Sequence, residues 1–370
     1  MILTRTFHPV GFGAFYTEKH IDPVSGQQIN IVYDCGTLNK EHYIINAIRS
    51  YFIQGEDIDL LIISHFDIDH IKGIPFLRNY CNIKKVIIPY IPKEDRILFV
   101  YSQKKLMRYA QLIIDTQKYF GPTTEVISIK SIEEENHNDN PDQKTKIPEE
   151  KSEYSKSEKS LISGSQIKLP PLSGTSSDWC FIPFNYNYST QVATLKKILV
   201  AQGLDYDQLS STKYINNNYN SIHKAYKGLT DSNETSLVCF SGTLDQANPI
   251  RFGVLIPSNQ YITSHMGLNC LYYGDANTLE VGFLYHLQNR LKGYYNTVQT
   301  IQIPHHGSDK NFNIHILQNP SNQISVISSA PHKKYNLPRS TVIKDIRSTG
   351  SIYINVTKDP KSKFIEKGYY

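Results

Sequence analysis

Four side chains able to hold a metal ion fall within six residues: His65, Asp67, Asp69 and His70, in the run Ser64-His65-Phe66-Asp67-Ile68-Asp69-His70. Imidazole and carboxylate are the usual ligands of catalytic divalent metals. Two carboxylates and two imidazoles this close are costly without a cation, because like charges repel and desolvation disfavours the ionised forms. The run follows Asp59-Leu60-Leu61-Ile62-Ile63, a short apolar stretch suited to a strand buried on both faces. The end of such a strand can present His65, Asp67 and Asp69 at alternate positions, and a turn then brings His70 round. Two later segments repeat the arrangement: Tyr273-Gly274-Asp275 puts a carboxylate after a strand-like run, and Ile303-Pro304-His305-His306-Gly307-Ser308 puts two imidazoles after another. Alone, a Gly-Asp is most often a turn and a His-His pair surface decoration. Three strand ends that all offer metal-capable side chains are hard to ascribe to chance.

Such strand ends need a strand-rich core behind them. The first 36 residues read as two strands around the turn residues Asp22-Pro23-Val24-Ser25-Gly26. Residues 40–54 repeat apolar side chains at helical spacing (Tyr43, Ile44, Ala47, Ile48, Tyr51, Phe52) and predict a helix. Lys85-Val86-Ile87-Ile88-Pro89 reads as a further strand and 94–119 as a helix. Strand-like segments return at 236–240, 252–256, 270–273, 298–303 and 324–328. Residues 131–160 turn to Glu, Asn, Asp, Lys, Ser and Pro, a low-complexity composition expected of a surface insertion. Residues 190–228 read as helical and inserted. The expectation is one domain over 1–370, interrupted by an insertion at about 131–232. Strands in both halves with helices between them suggest two packed sheets with helices outside.

Composition bounds the rest. A chain of 370 residues can build a sizeable core, and 39% hydrophobic against 20% charged residues excludes wholesale disorder. No stretch approaches the ~20 apolar residues of a membrane helix, so no membrane span is expected. The first twenty residues lack the pattern of a signal peptide. The five cysteines are widely spaced with no CxxC, which excludes a cysteine-based zinc finger and points to a reducing cytoplasm. A net charge of +5 permits a nucleic-acid partner without identifying one, and the 26 tyrosines could stack on bases.

The succession HFDIDH, Gly-Asp, PHHGS resembles the metallo-β-lactamase fold superfamily. More narrowly it is similar to the hydrolase domain of ComEC-type competence proteins and their soluble relatives, which show HxDxDH where most of the superfamily has HxHxDH. Asp34-Cys35-Gly36 stands where that group has an Asp-Gly-Gly strand end, and Asn233-Glu234-Thr235-Ser236-Leu237-Val238 resembles its N-x-x-S-L-V strand. Residues 273–275 resemble its T-G-D. The resemblance covers about 1–130 and 233–360. Two departures stand out. His70-Ile71-Lys72-Gly73 replaces H-I-G-G, and Tyr335-Asn336-Leu337-Pro338 puts Leu337 where the group's Y-x-H-P has histidine.

The resemblance implies an α/β fold, a four-layer αββα sandwich with a central insertion. It implies one or two divalent metal ions, Zn²⁺ or Mn²⁺. His65 and Asp67 would serve one site, Asp69 and His70 the other, with Asp275 bridging and one or both of His305 and His306 completing the set. Asp69 would also orient the nucleophile as the catalytic residue. Asp67 in place of an imidazole makes the site more oxygen-rich and shifts preference toward Mn²⁺. Ser308 and Lys310 would contact a phosphate, and His332 could stand in for the absent histidine. The implied substrate is a phosphodiester, DNA first, with a small ester such as phosphorylcholine or a cyclic nucleotide, or a degenerate binding module, as alternatives. Relatives of this branch also occur in anti-phage defence, and the 131–232 insertion could receive a protein partner.

Overall fold

The structure, a computed structural model, describes residues 1–132, 159–169, 179–186, 196–210, 212–227, 236–244, 252–256, 260–264, 267–317, 323–331 and 335–370. The chain opens with an antiparallel meander of three strands, β1 (Ile2–Phe7), β2 (Phe15–Ile21) and β3 (Gln28–Cys35). Two strands around one turn were expected here. The Gly-rich loop 8–14 supplies a second reversal, so β1 pairs with β2 as well as β2 with β3.

From β3 the order becomes parallel. The next strands are β4 (Asp57–Ile58), β5 (Leu60–Ile62), β6 (Asn82–Ile83), β7 (Lys85–Pro89), β8 (Glu125–Lys130) and β9 (Lys159–Ile162). β5, β7, β8 and β9 extend the sheet edge to edge from β3, while β4 and β6 form a small separate ladder. The second half supplies β10 (Ile167–Lys168), β11 (Cys180–Phe184), β12 (Val238–Gly242), β13 (Phe252–Ile256) and β14 (Gln260–Ser264). It continues with β15 (Cys270–Tyr272), β16 (Thr300–Gln302), β17 (Ile324–Ser328), β18 (Ile352–Val356) and β19 (Phe364–Tyr369). Among the described residues these make a ten-stranded sheet, β14-β13-β19-β1-β2-β3-β5-β7-β8-β9, and a seven-stranded sheet, β10-β11-β12-β15-β16-β17-β18.

Strand alternation separates the layers. Ile31, Tyr33, Leu60, Ile62, Ile87 and Ile127 of the first sheet pack with Cys239, Tyr272, Val326 and Ile354 of the second. The intervening positions Val32, Leu61, Val86, Ile88 and Val126 pack outward on α1 (His42–Tyr51), on α3 (Ile74–Tyr80), which follows the short α2 (Ile68–Ile71), and on α5 (Ala110–Ile114). On the far side Ile182, Phe240, Leu271, Ile301 and Ile327 meet α8 (Phe283–Leu291) and α9 (Ser340–Ser348) through Leu287, Leu291, Val342 and Ile346. Helix, sheet, sheet, helix is the expected four-layer αββα sandwich.

Two expectations change in detail. The helix expected over 94–119 is broken into α4 (Lys93–Ser102), a 3-10 turn, α5 and α6 (Thr116–Phe120). Gln103 is extended (φ −128°, ψ 100°), and Asp115 caps α6 by accepting from the Lys118 amide. The span 131–232, expected as an insertion, contributes β9, β10 and β11 to the two sheets. Its described additional material is residues 196–210 and α7 (Thr212–Lys227), which pack on α4 through Leu98, Leu199, Leu209 and Ile222. Tyr206 ties this layer down by donating to Asp95 at 2.7 Å. The low-complexity stretch expected at 131–160 lies outside the described residues from 133 to 158. All five cysteines are free and buried. Among the described residues no helix is long and apolar enough to cross a membrane.

Candidate metal centre

The carboxyl ends of parallel strands from both sheets meet at one place, where ligands bind in open α/β sheets. β3 carries Asp34 at its last position but one, β5 runs into Ser64–His70, β15 into Asp275, β16 into His305 and His306, and β17 ends on Ser328. The strands are short and wholly buried, so the chain emerges into the site within one or two residues of the core.

One group is tight. Asp69, His70, Asp275 and His306 are all buried and each brings one donor atom within 4.8 Å of the others. His70 Nε2 lies 3.2 Å from Asp275 Oδ1, and His306 Nε2 lies 3.2 Å from Asp69 Oδ2 and 3.8 Å from Asp275 Oδ1. A looser group shares the other oxygen of Asp275. His65 Nε2 is 3.8 Å and His305 Nε2 3.7 Å from Asp275 Oδ2, and His65 Nε2 is 3.9 Å from Asp67 Oδ2. Ligands at ~2.1 Å from a tetrahedral ion stand roughly 3.4 Å apart, so the tight group has cation-sized spacing, while in the looser group each imidazole nitrogen lies within 4 Å of an Asp275 oxygen. All seven expected ligands are thus brought together, with Asp275 between the halves.

The surrounding groups fix each imidazole. Asp34 Oδ1 accepts from the Ser64 amide at 2.7 Å, and its Oδ2 accepts from the Ser64 hydroxyl and from His70 Nδ1, each at 2.7 Å. Since the Ser64 hydrogen goes to Asp34, its oxygen accepts from His65 Nδ1 at 3.0 Å. His305 Nδ1 donates to Asn311 Oδ1 and His306 Nδ1 to the Ser328 carbonyl, both at 2.7 Å. Every ring therefore turns Nε2 inward, the arrangement by which a ligating histidine is oriented. The Ser236 hydroxyl accepts from the Asp275 amide at 2.9 Å. Asp34, Ser64, Asn311 and Ser328 were not singled out as site residues. The Asp34-Cys35-Gly36 strand end was the one available signal, and a backbone carbonyl such as that of Ser328 leaves none in sequence.

The backbone is bent to this purpose. Asp34 (φ 55°), His305 (φ 46°) and His306 (φ 53°) are three of the four described non-glycine residues at positive φ. The left-handed region costs an L-residue roughly 1–2 kcal/mol, and such strain collects at functional sites. Bonds on either side hold the turn: the His305 amide donates to Gly274 O, and His305 O accepts from the Ser308 amide.

The electrostatics describe a centre lacking positive charge. Buried Nε2 of His65 and His70, and Oδ1 of Asp67 and Asp275, have no hydrogen-bond partner. Burial, then the charge of His70, pushes His65 down to about 4. Burial, then Asp69, pushes Asp67 up to about 6. Burial would raise Asp69 too, but the His306 hydrogen bond and the charge of His70 hold it at about 2. Against burial, Asp275 and then Asp34 raise His70, and Asp275 and Asp69 raise His306. Protonated imidazoles here balance carboxylates that a divalent cation would balance in their place. The donor set of imidazole and carboxylate fits such an ion.

Other expected contacts are placed less directly. Ser308 is buried, and its hydroxyl accepts from the Lys310 amide at 3.3 Å, while Lys310 is exposed. Leu337 is half-buried, next to Pro338, which lies against Gly307. His332 lies outside the described residues.

Comparison with family models agrees with this frame. Residues 24–138 match the family model described as the metallo-beta-lactamase superfamily, a stretch that includes Asp34 and the whole of His65–His70. With the four-layer arrangement, this gives the fold as the metallo-β-lactamase type. No curated protein matches the chain. Among solved structures, an archaeal metallo-beta-lactamase superfamily protein from Sulfolobus tokodaii is 19% identical, with 34% of this chain and 47% of that chain covered and a TM-score of 0.20. The chain thus spans about half the length of that protein. Rm3 metallo-beta-lactamase is 13% identical, with 81% and 77% covered and a TM-score of 0.27.

Proposed function

We propose that the protein is a metal-dependent hydrolase of phosphodiester bonds with DNA as its leading substrate. The observation that carries this reading is the pair of ligand groups joined at Asp275, each with inward, unpartnered nitrogen or oxygen atoms. His65, Asp67, Asp275 and His305 would hold one ion, and Asp69, His70, Asp275 and His306 a second. Divalent ions there would supply Lewis-acid charge to a phosphoryl oxygen and lower the pKa of a water. Asp69, kept ionised at neutral pH, can accept a proton or orient that water. The reading needs no nucleophilic serine or cysteine, and all five cysteines lie buried in the core or against helices. Zn²⁺ and Mn²⁺ both suit the mixed donor set. Phosphate contact by Ser308 and Lys310 and a role in anti-phage defence belong to this proposal through the resemblance, and cytoplasmic location through the widely spaced cysteines.

The test is metal content by elemental mass spectrometry together with cleavage of linear and plasmid DNA with Mn²⁺, Mg²⁺ and Zn²⁺. The double variant Asp69→Ala/His70→Ala runs beside the wild type. Bound metal and cutting that the variant loses are expected, with cutting falling steeply in added salt. Metal without DNA cutting would move the reading to a small phosphodiester. Absence of metal under every condition would leave the binding-module alternative, which Leu337 favours.

A further inference from the structure

Loop 8–14 does more than reverse the chain. The Ala14 amide donates to Asp69 O, and the Phe12 amide donates to Asn39 Oδ1 at 2.7 Å. These bonds lay the buried Phe12 ring on His306, with centroids 4.3 Å apart. Tyr335 stacks on Phe12 at 5.5 Å with the planes 28° apart. A row of three rings thus runs from a metal-centre imidazole, through a fully packed phenylalanine, to a tyrosine that is 36% exposed. Lys72 Nζ donates at 2.6 Å to the carbonyl of Asn39, the residue whose side chain takes the Phe12 amide, and Arg339 follows Tyr335 by four residues with its guanidinium paired to Asp309 at 3.6 Å. Across the centre, the charge of Lys105 acts on Asp67.

A partly exposed ring backed by an aromatic suits stacking by a planar π-face such as a nucleobase. We infer that Tyr335 is the stacking platform for an unpaired nucleobase flanking the phosphodiester at the metal centre. The inference rests on the phosphodiesterase reading and narrows it: the base must be out of the duplex, so single-stranded DNA is the better ligand. A base within a duplex would first have to be unstacked and unpaired.

The test uses the intact protein and a short single-stranded oligodeoxynucleotide carrying 2-aminopurine, whose fluorescence is quenched by stacking. Stopped-flow mixing reads the quench before strands are cut. Wild type and Tyr335→Phe are expected to quench. Tyr335→Leu is expected to lose the quench and bind about 5- to 100-fold more weakly, with thermal melting checking that it folds. For the wild type, an abasic residue in place of 2-aminopurine should weaken binding by a similar factor, and the matching duplex should bind more weakly than the single strand. Equal binding of abasic and intact strands, an unchanged quench in Tyr335→Leu, or no oligonucleotide binding at all would overturn the inference. Hydrolysis of methyl p-nitrophenyl phosphate by the wild type, a substrate without a nucleobase, tests the phosphodiesterase reading separately.

Discussion

Asp34 binds the Nδ1 side of His70 and so sets what the opposite nitrogen can do. Its Oδ1 accepts from the Ser64 amide, and its Oδ2 from the Ser64 hydroxyl and His70 Nδ1. Asp34→Asn keeps the shape and, since asparagine tolerates the left-handed region, keeps the backbone at φ 55°. The amide can be placed only one way. The Ser64 amide needs an acceptor, so the asparagine oxygen must stay at the Oδ1 position and its NH₂ must take the Oδ2 position. That NH₂ donates to His70 Nδ1, which drives the ring hydrogen to Nε2, the atom that faces Asp275 at 3.2 Å. A ligating lone pair is replaced by an N–H. Loss of such an orienting partner costs about 10- to 100-fold in metal affinity, or about 1.4–2.8 kcal/mol. One effect opposes this. Asp34 helps hold His70 protonated, so the variant also gives up its proton more readily. That gain counts where protons compete with metal, so the loss should be largest near pH 8 and shrink toward pH 6. Competition titration against a chromophoric chelator at both pH values measures it. Affinity within twofold of wild type at pH 8, in a variant that melts normally, would refute the tautomer argument.

Three further outcomes follow from packing and charge elsewhere. A Cβ on Gly36 would lie 2.4 Å from the backbone of Asp69 and His70, atoms that cannot swing aside. Gly36→Ala should therefore cost at least the upper part of the ~1–3 kcal/mol of overpacking and release bound metal, both read by melting with and without chelator. Arg5 is fully buried and joins Glu18 at 2.8 Å to Glu366 at 2.6 Å, so Arg5→Met should cost about 3–5 kcal/mol at pH 7 in urea titrations. In wild type, Glu18 is held well below 4.5, burial being outweighed by Arg5 and His20, so its contribution is present above pH 4.5 and lost as pH falls; in the variant, mild acid should instead recover stability. His8 is held well below 6.5 by burial and by Lys363, so the folded state refuses a proton that the unfolded chain accepts, and stability falls as pH drops below 6.5. His8→Phe keeps the stack on Phe15 and should flatten the stability curve between pH 6.5 and 5, whereas an unchanged slope would place the acid sensitivity elsewhere.

The seven candidate residues that meet at the strand ends were visible in sequence because their signal is local: chemistry-bearing residues directly after apolar runs. Two packed sheets with helices outside followed from strand-like runs in both halves, but β5 and β7 are apolar at every core position, so which residue faces which core shows only in the structure. What was missed is what depends on partners distant in sequence. Residues 159–162 read as the tail of a polar stretch, and become a strand only because β8 offers its free edge. Lys93–Phe120 has helix-forming composition throughout, but breaks where Gln103 turns extended and Asp115 caps the next segment. Phe12 reads as one more aromatic in a strand; only the contacts of its loop with Asn39 and Asp69 place it on His306.

The arrangement also explains why the strained turn can persist. His305 and His306 both sit in the left-handed region, at about 1–2 kcal/mol each, and neither would do so in a free peptide. They are held because Gly274 O, Ser328 O and Asn311 Oδ1 each take one of their hydrogens, and those acceptors come from β15, β17 and the loop after β16. Three parallel connections of the second sheet thus fix the ring directions, while β3 and β5 of the first sheet fix His65 and His70 through Asp34 and Ser64. Among the described residues Asp275 is the one candidate ligand whose two oxygens face both groups. The inter-sheet core, with Tyr33 stacked on Tyr272 at 4.7 Å just beneath, sets the separation of the two halves. A cation held between them would therefore bind to two sheets at once, and its affinity would depend on the packing of the sandwich as much as on the ligands themselves.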